Sequence, residues 1–143
     1  MSERLKPIIA SMAGELGLVG DPNFKFLFPE IAGTRTPAYN PDCVWFSGQT
    51  IESDTLAIFE IDEGPSRKHR VGGAALANVV ALKIQKRLRY FAIVPPNRKL
   101  LANSCIDILR TYLRDKWLLE AMVIPSFEPD IIRGEIKKAS WNV

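Results

Sequence analysis

The chain is poor in the residues from which most small catalytic centres are made. It has one histidine, His69, and two cysteines, Cys43 and Cys105. Without a CxxC pair or a Cys/His cluster, the spacings that hold zinc are missing. Any Ser-His-Asp or Cys-His pair would have to use His69, which is flanked by Arg67, Lys68 and Arg70. Three neighbouring cations are a poor setting for a general base. Both cysteines lie in apolar runs and read as reduced core thiols. No apolar run reaches the ~18 residues of a membrane span. The longest, around Val71 to Ile84, is broken by Gly72, Gly73, Asn78 and Lys83. The start, Met-Ser-Glu-Arg-Leu-Lys-Pro, lacks the apolar block of a signal peptide, so the chain is expected to be cytoplasmic with no membrane partner. Internal repeats, low-complexity tracts and a Gly-rich phosphate loop are also missing.

What remains is the sequence of one ordinary domain, residues 1–143, long enough to bury a core without staples. A net charge of +3 leans mildly toward anionic partners. Leu5, Ile8, Ile9, Met12 and Leu16 recur at helical spacing and predict a helix from Ser2 to about Leu16, with Pro7 in its first turn. Phe24 to Ile31 is a strand candidate interrupted by Pro29, and Gly33 to Pro41 is a polar loop. Strands are expected at Cys43 to Phe46, Thr55 to Asp62, Leu88 to Val94 and Leu119 to Ile124. Helices are expected at about Ser66 to Lys86, Asn97 to Asp115 and Pro129 to Ala139. The helix after Ser66 is rich in glycine and alanine, which suits close packing on a sheet. A meander followed by alternating strands and helices predicts an α/β fold. Its central sheet should be mixed, antiparallel at first and then parallel with right-handed crossovers, and flanked by helices.

One constellation stands out. Asp42 follows Pro41 at the opening of a strand, and Glu60 sits eighteen residues on, inside Phe59-Glu60-Ile61-Asp62-Glu63. Alternation puts Glu60 and Asp62 on one face, continuing Leu56 and Ile58. Carboxylates at the margin of a core are costly to bury without a cation. Adjacent strands lie about 5 Å apart, so Asp42 and Glu60 can meet one ion. Oxygen-only ligands suit Mg²⁺ or Mn²⁺.

Pro41-Asp42, a strand, a turn, and a strand ending Phe59-Glu60-Ile61-Asp62 before a helix resemble the core of the PD-(D/E)xK nucleases. The element order over nearly the whole chain is similar too. The resemblance implies a restriction-endonuclease-like fold, Asp42 and Glu60 as metal ligands, and metal-dependent hydrolysis of DNA. The family's lysine does not match: Asp62 stands in its place. Three readings of Asp62 stay open. It holds a metal or orients water as a second acid; the lysine has moved to the next helix as Lys68 or Arg67; or catalysis is lost and the fold serves nucleic-acid binding or protein assembly. A solvated turn at Asp62-Glu63-Gly64-Pro65 is the structural alternative.

Arg67, Lys68 and Arg70 are candidates to hold phosphates beside a cleaved bond, unless they merely balance the local acids. Lys68 or Arg67 would stabilise transition-state charge. Glu15, at the border of the first helix's apolar face, is a possible accessory acid, since some family members carry one there. The tryptophans are spread along the chain without forming a stacking platform, and Trp45 reads as core. A homodimer is expected for cutting both strands of a duplex, with candidate surfaces in the C-terminal half.

Overall fold

The computed structural model describes residues 2–31, 33–48, 50–63, 67–95, 104, 107, 108, 111 and 119–141, the side chains of residues 2 and 67–69 excepted. The elements are α1 (Ser2–Met12) with a 3-10 turn (Ala13–Leu16), β1 (Val19–Asp21), β2 (Phe26–Leu27), β3 (Ala38–Tyr39), β4 (Cys43–Phe46), β5 (Thr55–Ile61), α2 (Arg67–Ile84), β6 (Leu88–Ile93), β7 (Leu119–Ile124) and α3 (Pro129–Lys137). Of the helix expected at Asn97 to Asp115, only Ser104, Asp107, Ile108 and Thr111 fall among the described residues, and all four are helical.

The central sheet has five strands in the order β1-β4-β5-β6-β7. β4 pairs antiparallel with β1 and β5, whereas β6 pairs parallel with β5 and β7. The mixed sheet expected from the element order is therefore present, with helices on both faces. α2 carries the crossover from β5 to β6. Its Ala74, Ala77, Val80 and Ala81 are buried against Val44, Ile58, Tyr90, Ala92 and Ala121. On the other face, Leu5, Ile9 and Met12 of α1 and Ile132 and Ile136 of α3 cover Cys43, Trp45, Phe59, Phe91 and Ile93. α3 begins on Pro129, which needs no N–H donor there, and carries Asp130 and Lys137 at the ends that suit its dipole.

Several local expectations need correction. Pro7 is inside α1 rather than in its first turn, and the carbonyl it leaves without a helical donor is that of Glu3. The helix tightens to 3-10 after Met12 and stops at Gly17, whose φ of 72° suits glycine. β1 follows at once, a strand too short to show a pattern. Within Phe24 to Ile31 only Phe26–Leu27 is a strand. It pairs with Ala38–Tyr39, which lie in the stretch expected to be loop. A register shift at Trp45/Phe46 inserts Leu56 as an extra residue, so Leu56 packs with Trp45 and Phe59 rather than on the face of Ile58. The tryptophans are not all apart in space: Trp45 and Trp141 meet with ring centroids 5.2 Å apart. Trp45 is core, its indole N–H bonded to the Ile9 carbonyl at 3.0 Å. Cys43 is buried, and burial pushes its thiol up to about 12, which suits an inert core residue.

α1 crosses β1 at Gly20, where an added Cβ would stand 2.3 Å from the Ala10 carbonyl oxygen. The obstacle is helix backbone, which has little room to give. Gly20→Ala is therefore expected to cost about 1–3 kcal/mol, read as a lowered urea midpoint with an unchanged slope.

Candidate functional site

Asp42 stands just before β4 and grips β5 at two points. Its backbone N–H donates to the Phe59 carbonyl at 3.1 Å, and its carboxylate Oδ2 accepts the Ile61 N–H at 2.7 Å. The residue between those two points is Glu60. Asp42 and Glu60 line one open cavity of about 370 Å³, together with Asn40, Ile61, Asp62, Glu63 and Arg70. The cavity sits at the C-terminal end of β5, where the sheet's apolar face gives way to acids.

Glu60 is a strongly desolvated acid. Burial pushes its carboxyl up to about 8, the Tyr39 hydrogen bond opposes this, and Asp42 and Asp62 add to the rise. The Tyr39 hydroxyl donates to Glu60 Oε1 at 2.5 Å. Gly73 of α2 also approaches this side chain. A Cβ there would be 3.0 Å from Glu60 Cγ, 3.2 Å from Cδ and 2.9 Å from the Tyr90 hydroxyl oxygen. Glycine at this point lets the helix close on the acid. Tyr39 and Tyr90 are both held well above the usual phenol range, first by burial and then by Glu60, so both keep their protons.

Asp62 follows β5, and its N–H continues the parallel ladder to the Ile93 carbonyl at 2.8 Å. Its carboxylate Oδ2 is ion-paired with Arg70 Nη1, both side chains buried. Arg70 is thus a buried cation at the cavity wall rather than a surface one. Its Nε and Nη2 have no hydrogen-bond partner among the described residues. Arg67 and Lys68 open α2, which places their backbone near this end of the sheet; their side chains lie outside the described residues. Glu15 is not part of the cavity. It bonds Arg133 Nε through both carboxylate oxygens, at 3.0 and 3.1 Å, and so ties the end of α1 to α3.

Two contributors escaped the sequence reading, and a third, Gly73, was read only as one of the small residues that let α2 approach the sheet. Lys6 of α1 places its ammonium 3.5 Å from Asp42 Oδ1 and 3.1 Å from Glu3. The Glu3 bond raises its pKa, burial opposes, and Asp42 adds to the rise, so it stays charged. No sequence signal marks it, because a lysine between Leu5 and Ile9 looks like ordinary helix surface. Tyr39 carried a weak signal, an aromatic three residues ahead of Asp42 in a polar stretch. Gly73 carried a better one, since glycine in mid-helix costs about 1 kcal/mol against alanine and asks for a reason such as close approach.

Among the described residues no group of three or more His, Cys, Asp or Glu side chains is arranged to hold a metal ion. Two carboxylates facing one cavity are a different case. Mg²⁺ is commonly bound through one or two carboxylates, completing its shell with water and substrate phosphate. Asp42 and Glu60 fit that pattern in donor type, and Glu60 is a desolvated acid that a cation would ionise. The chain matches no known protein family, no curated protein and no solved structure.

Two outcomes are expected in the metal-free protein. Glu60 has a folded pKa above its ordinary value of 4.5. Its protonated form therefore adds stability that is full below about pH 4.5, declines through the interval, and is gone above about pH 8. Glu60→Gln should flatten that part of a stability-versus-pH curve measured by urea unfolding. Asp62→Ala leaves the buried Arg70 without its ion-pair partner and should cost about 3–5 kcal/mol. A change below about 0.5 kcal/mol would show that Asp62 is not structural.

Proposed function

We propose that this chain is a metal-dependent phosphodiesterase of the PD-(D/E)xK type, acting on DNA, with Asp42 and Glu60 as the ligands of Mg²⁺ or Mn²⁺. The observation that carries the reading is the joint cavity: a proline-aspartate at the start of one strand and the acid near the end of the next face the same space. Five-stranded mixed topology with helices on both faces agrees with a restriction-endonuclease-like arrangement.

A bound divalent ion would polarise the scissile phosphate and lower the pKa of a water at the cavity. The chain's own residues supply the rest. Asp42 is held by the Ile61 N–H, which fixes its orientation without using up the lone pairs of its carboxylate. Glu60 is neutral at pH 7 until a cation arrives, so metal binding and proton release are coupled at this residue. Lys6, charged and beside Asp42, takes the place in this reading that the family's lysine would have, as a cation toward phosphoryl oxygens rather than as a base. Lys68 and Arg67 keep the same role from α2. Arg70 acts through Asp62, holding the β5 terminus and so the cavity wall.

A second reading is a binding or assembly module without hydrolysis. The observation in its favour is the Asp62–Arg70 pair, which turns the position of the family's lysine into an internal ion pair. A homodimer remains part of the nuclease reading, because one site cuts one strand.

The deciding measurement is a Mg²⁺ and Mn²⁺ titration of thermal stability, run beside a cleavage assay on single-stranded, double-stranded and branched DNA. Saturation at one hundred times Kd should raise stability by about 2.7 kcal/mol, and Asp42→Asn and Glu60→Gln should abolish both the rise and the cleavage. Asn is preferred to Ala at position 42, because Ala would strand the Ile61 N–H at a cost of about 1–3 kcal/mol. A metal response without cleavage on any of the three substrates supports the binding module.

A further inference from the structure

The small hairpin β2–β3 stands apart from the central sheet, yet its last residue reaches the candidate site. Tyr39 is buried, and its ring stacks on Phe26 with centroids 6.2 Å apart and planes 21° apart. The two residues are also cross-strand partners, so the ring is fixed by both backbone and side chain. The hairpin is seated on the far end of α2, where Lys83 donates to the Leu27 carbonyl at 2.7 Å and lies 5.0 Å from the centre of the Phe28 ring. From this rigid seat the Tyr39 hydroxyl donates to one oxygen of Glu60. The terminal torsion of a glutamate is soft. Here the carboxyl is bonded by that hydroxyl, and the Gly73 backbone packs close to it. Tyr39 also lies three residues before Asp42, with Pro41 restricting the backbone between them.

We propose that Tyr39 is a positioning residue for Glu60, through which the β2–β3 hairpin sets the affinity of the cavity for a divalent cation. The inference rests on the metal-dependent reading and assigns that reading a control element. A buried tyrosine needs some partner for its hydroxyl, and core packing alone would be satisfied by any acceptor. What separates positioning from packing is that the chosen acceptor is the carboxylate which faces the cavity. A hydrogen-bonded residue behind a metal ligand fixes the ligand's orientation, and its loss usually weakens metal binding by about 10–100-fold.

Tyr39→Phe keeps the ring stack and removes only the hydroxyl. The ring stack on Phe26 and the cross-strand pairing are unchanged in this variant, so it should fold. Tyr39→Met, which fills the space flexibly and also lacks a donor, is the second variant should the first not fold. Phe26→Leu loosens the hairpin but keeps the hydroxyl. Mn²⁺ affinity is read for each from titration of thermal stability, with no substrate present. The donorless variants should bind Mn²⁺ about 10–100-fold more weakly than the wild type, and Phe26→Leu, which loosens the seat of the hydroxyl without removing it, should weaken Mn²⁺ binding by less than they do; wild-type affinity in Phe26→Leu would overturn the hairpin's part in the proposal. A donorless variant with wild-type affinity overturns the positioning role and leaves the metal reading standing. A wild type whose stability does not respond to Mn²⁺ or Mg²⁺ ends the metal reading, and the proposal with it.

Discussion

The arrangement at the sheet's end depends on one side-chain-to-backbone hydrogen bond, from the Ile61 N–H to the Asp42 carboxylate. β4 begins only at Cys43, so this side chain does the work of a ladder bond at the margin of the antiparallel pairing. In doing so it brings a second acid beside Glu60. Two carboxylates at the edge of a core repel each other, and the pair persists because its parts carry charge differently. Asp42 has a backbone donor and the nearby Lys6 ammonium. Glu60 has a phenol donor and a raised pKa that leaves it neutral.

A second charge pair lies behind the first. Arg70 and Asp62 are buried together, and an ion pair in that setting is weak evidence of stabilisation, since desolvation can exceed the attraction. Its effect is geometric. The pair joins the first turns of α2 to the end of β5, and the same helix presents Gly73 to Glu60 one turn later. Helix position and acid position are therefore coupled. The cavity has four acids among its lining residues, of which Asp62 is paired with Arg70 and Asp42 lies beside Lys6.

The sheet was readable in the sequence where burial patterns are strong. Cys43–Phe46 and Leu119–Ile124 lie where apolar runs end at turn residues, and Thr55–Ile61 is apolar on both faces because helices cover both faces. β1, β2 and β3 were hidden or blurred because strands of two or three residues carry too few alternations to count. Leu56 was misplaced because a bulge breaks the period-two rule without a sequence mark. That Asp42 and Glu60 border one space was legible from spacing and strand order. Lys6, Tyr39 and the Asp62–Arg70 pair were not, since each depends on which element packs against which, a fact of tertiary structure that alternation within one strand does not encode. The partner of Glu15 was hidden for the same reason: Arg133 of α3 arrives from the far end of the chain.

The hydrogen bonds that shape the site are short in sequence. Tyr39 to Glu60 spans 21 residues and Asp42 to Ile61 spans 19, whereas the Glu15–Arg133 clasp between α1 and α3 spans 118. Loop-closure entropy grows with the logarithm of length, so the clasp costs on the order of 1.5 kcal/mol more to close than either site bond. The difference bears on the order of assembly. The meander from Tyr39 to Ile61 closes small loops and draws on local contacts, which form fast. The α3 clasp closes the largest. The acids are thus brought together by the shorter closures, whereas α3, none of whose residues line the cavity, is tied in by the longest.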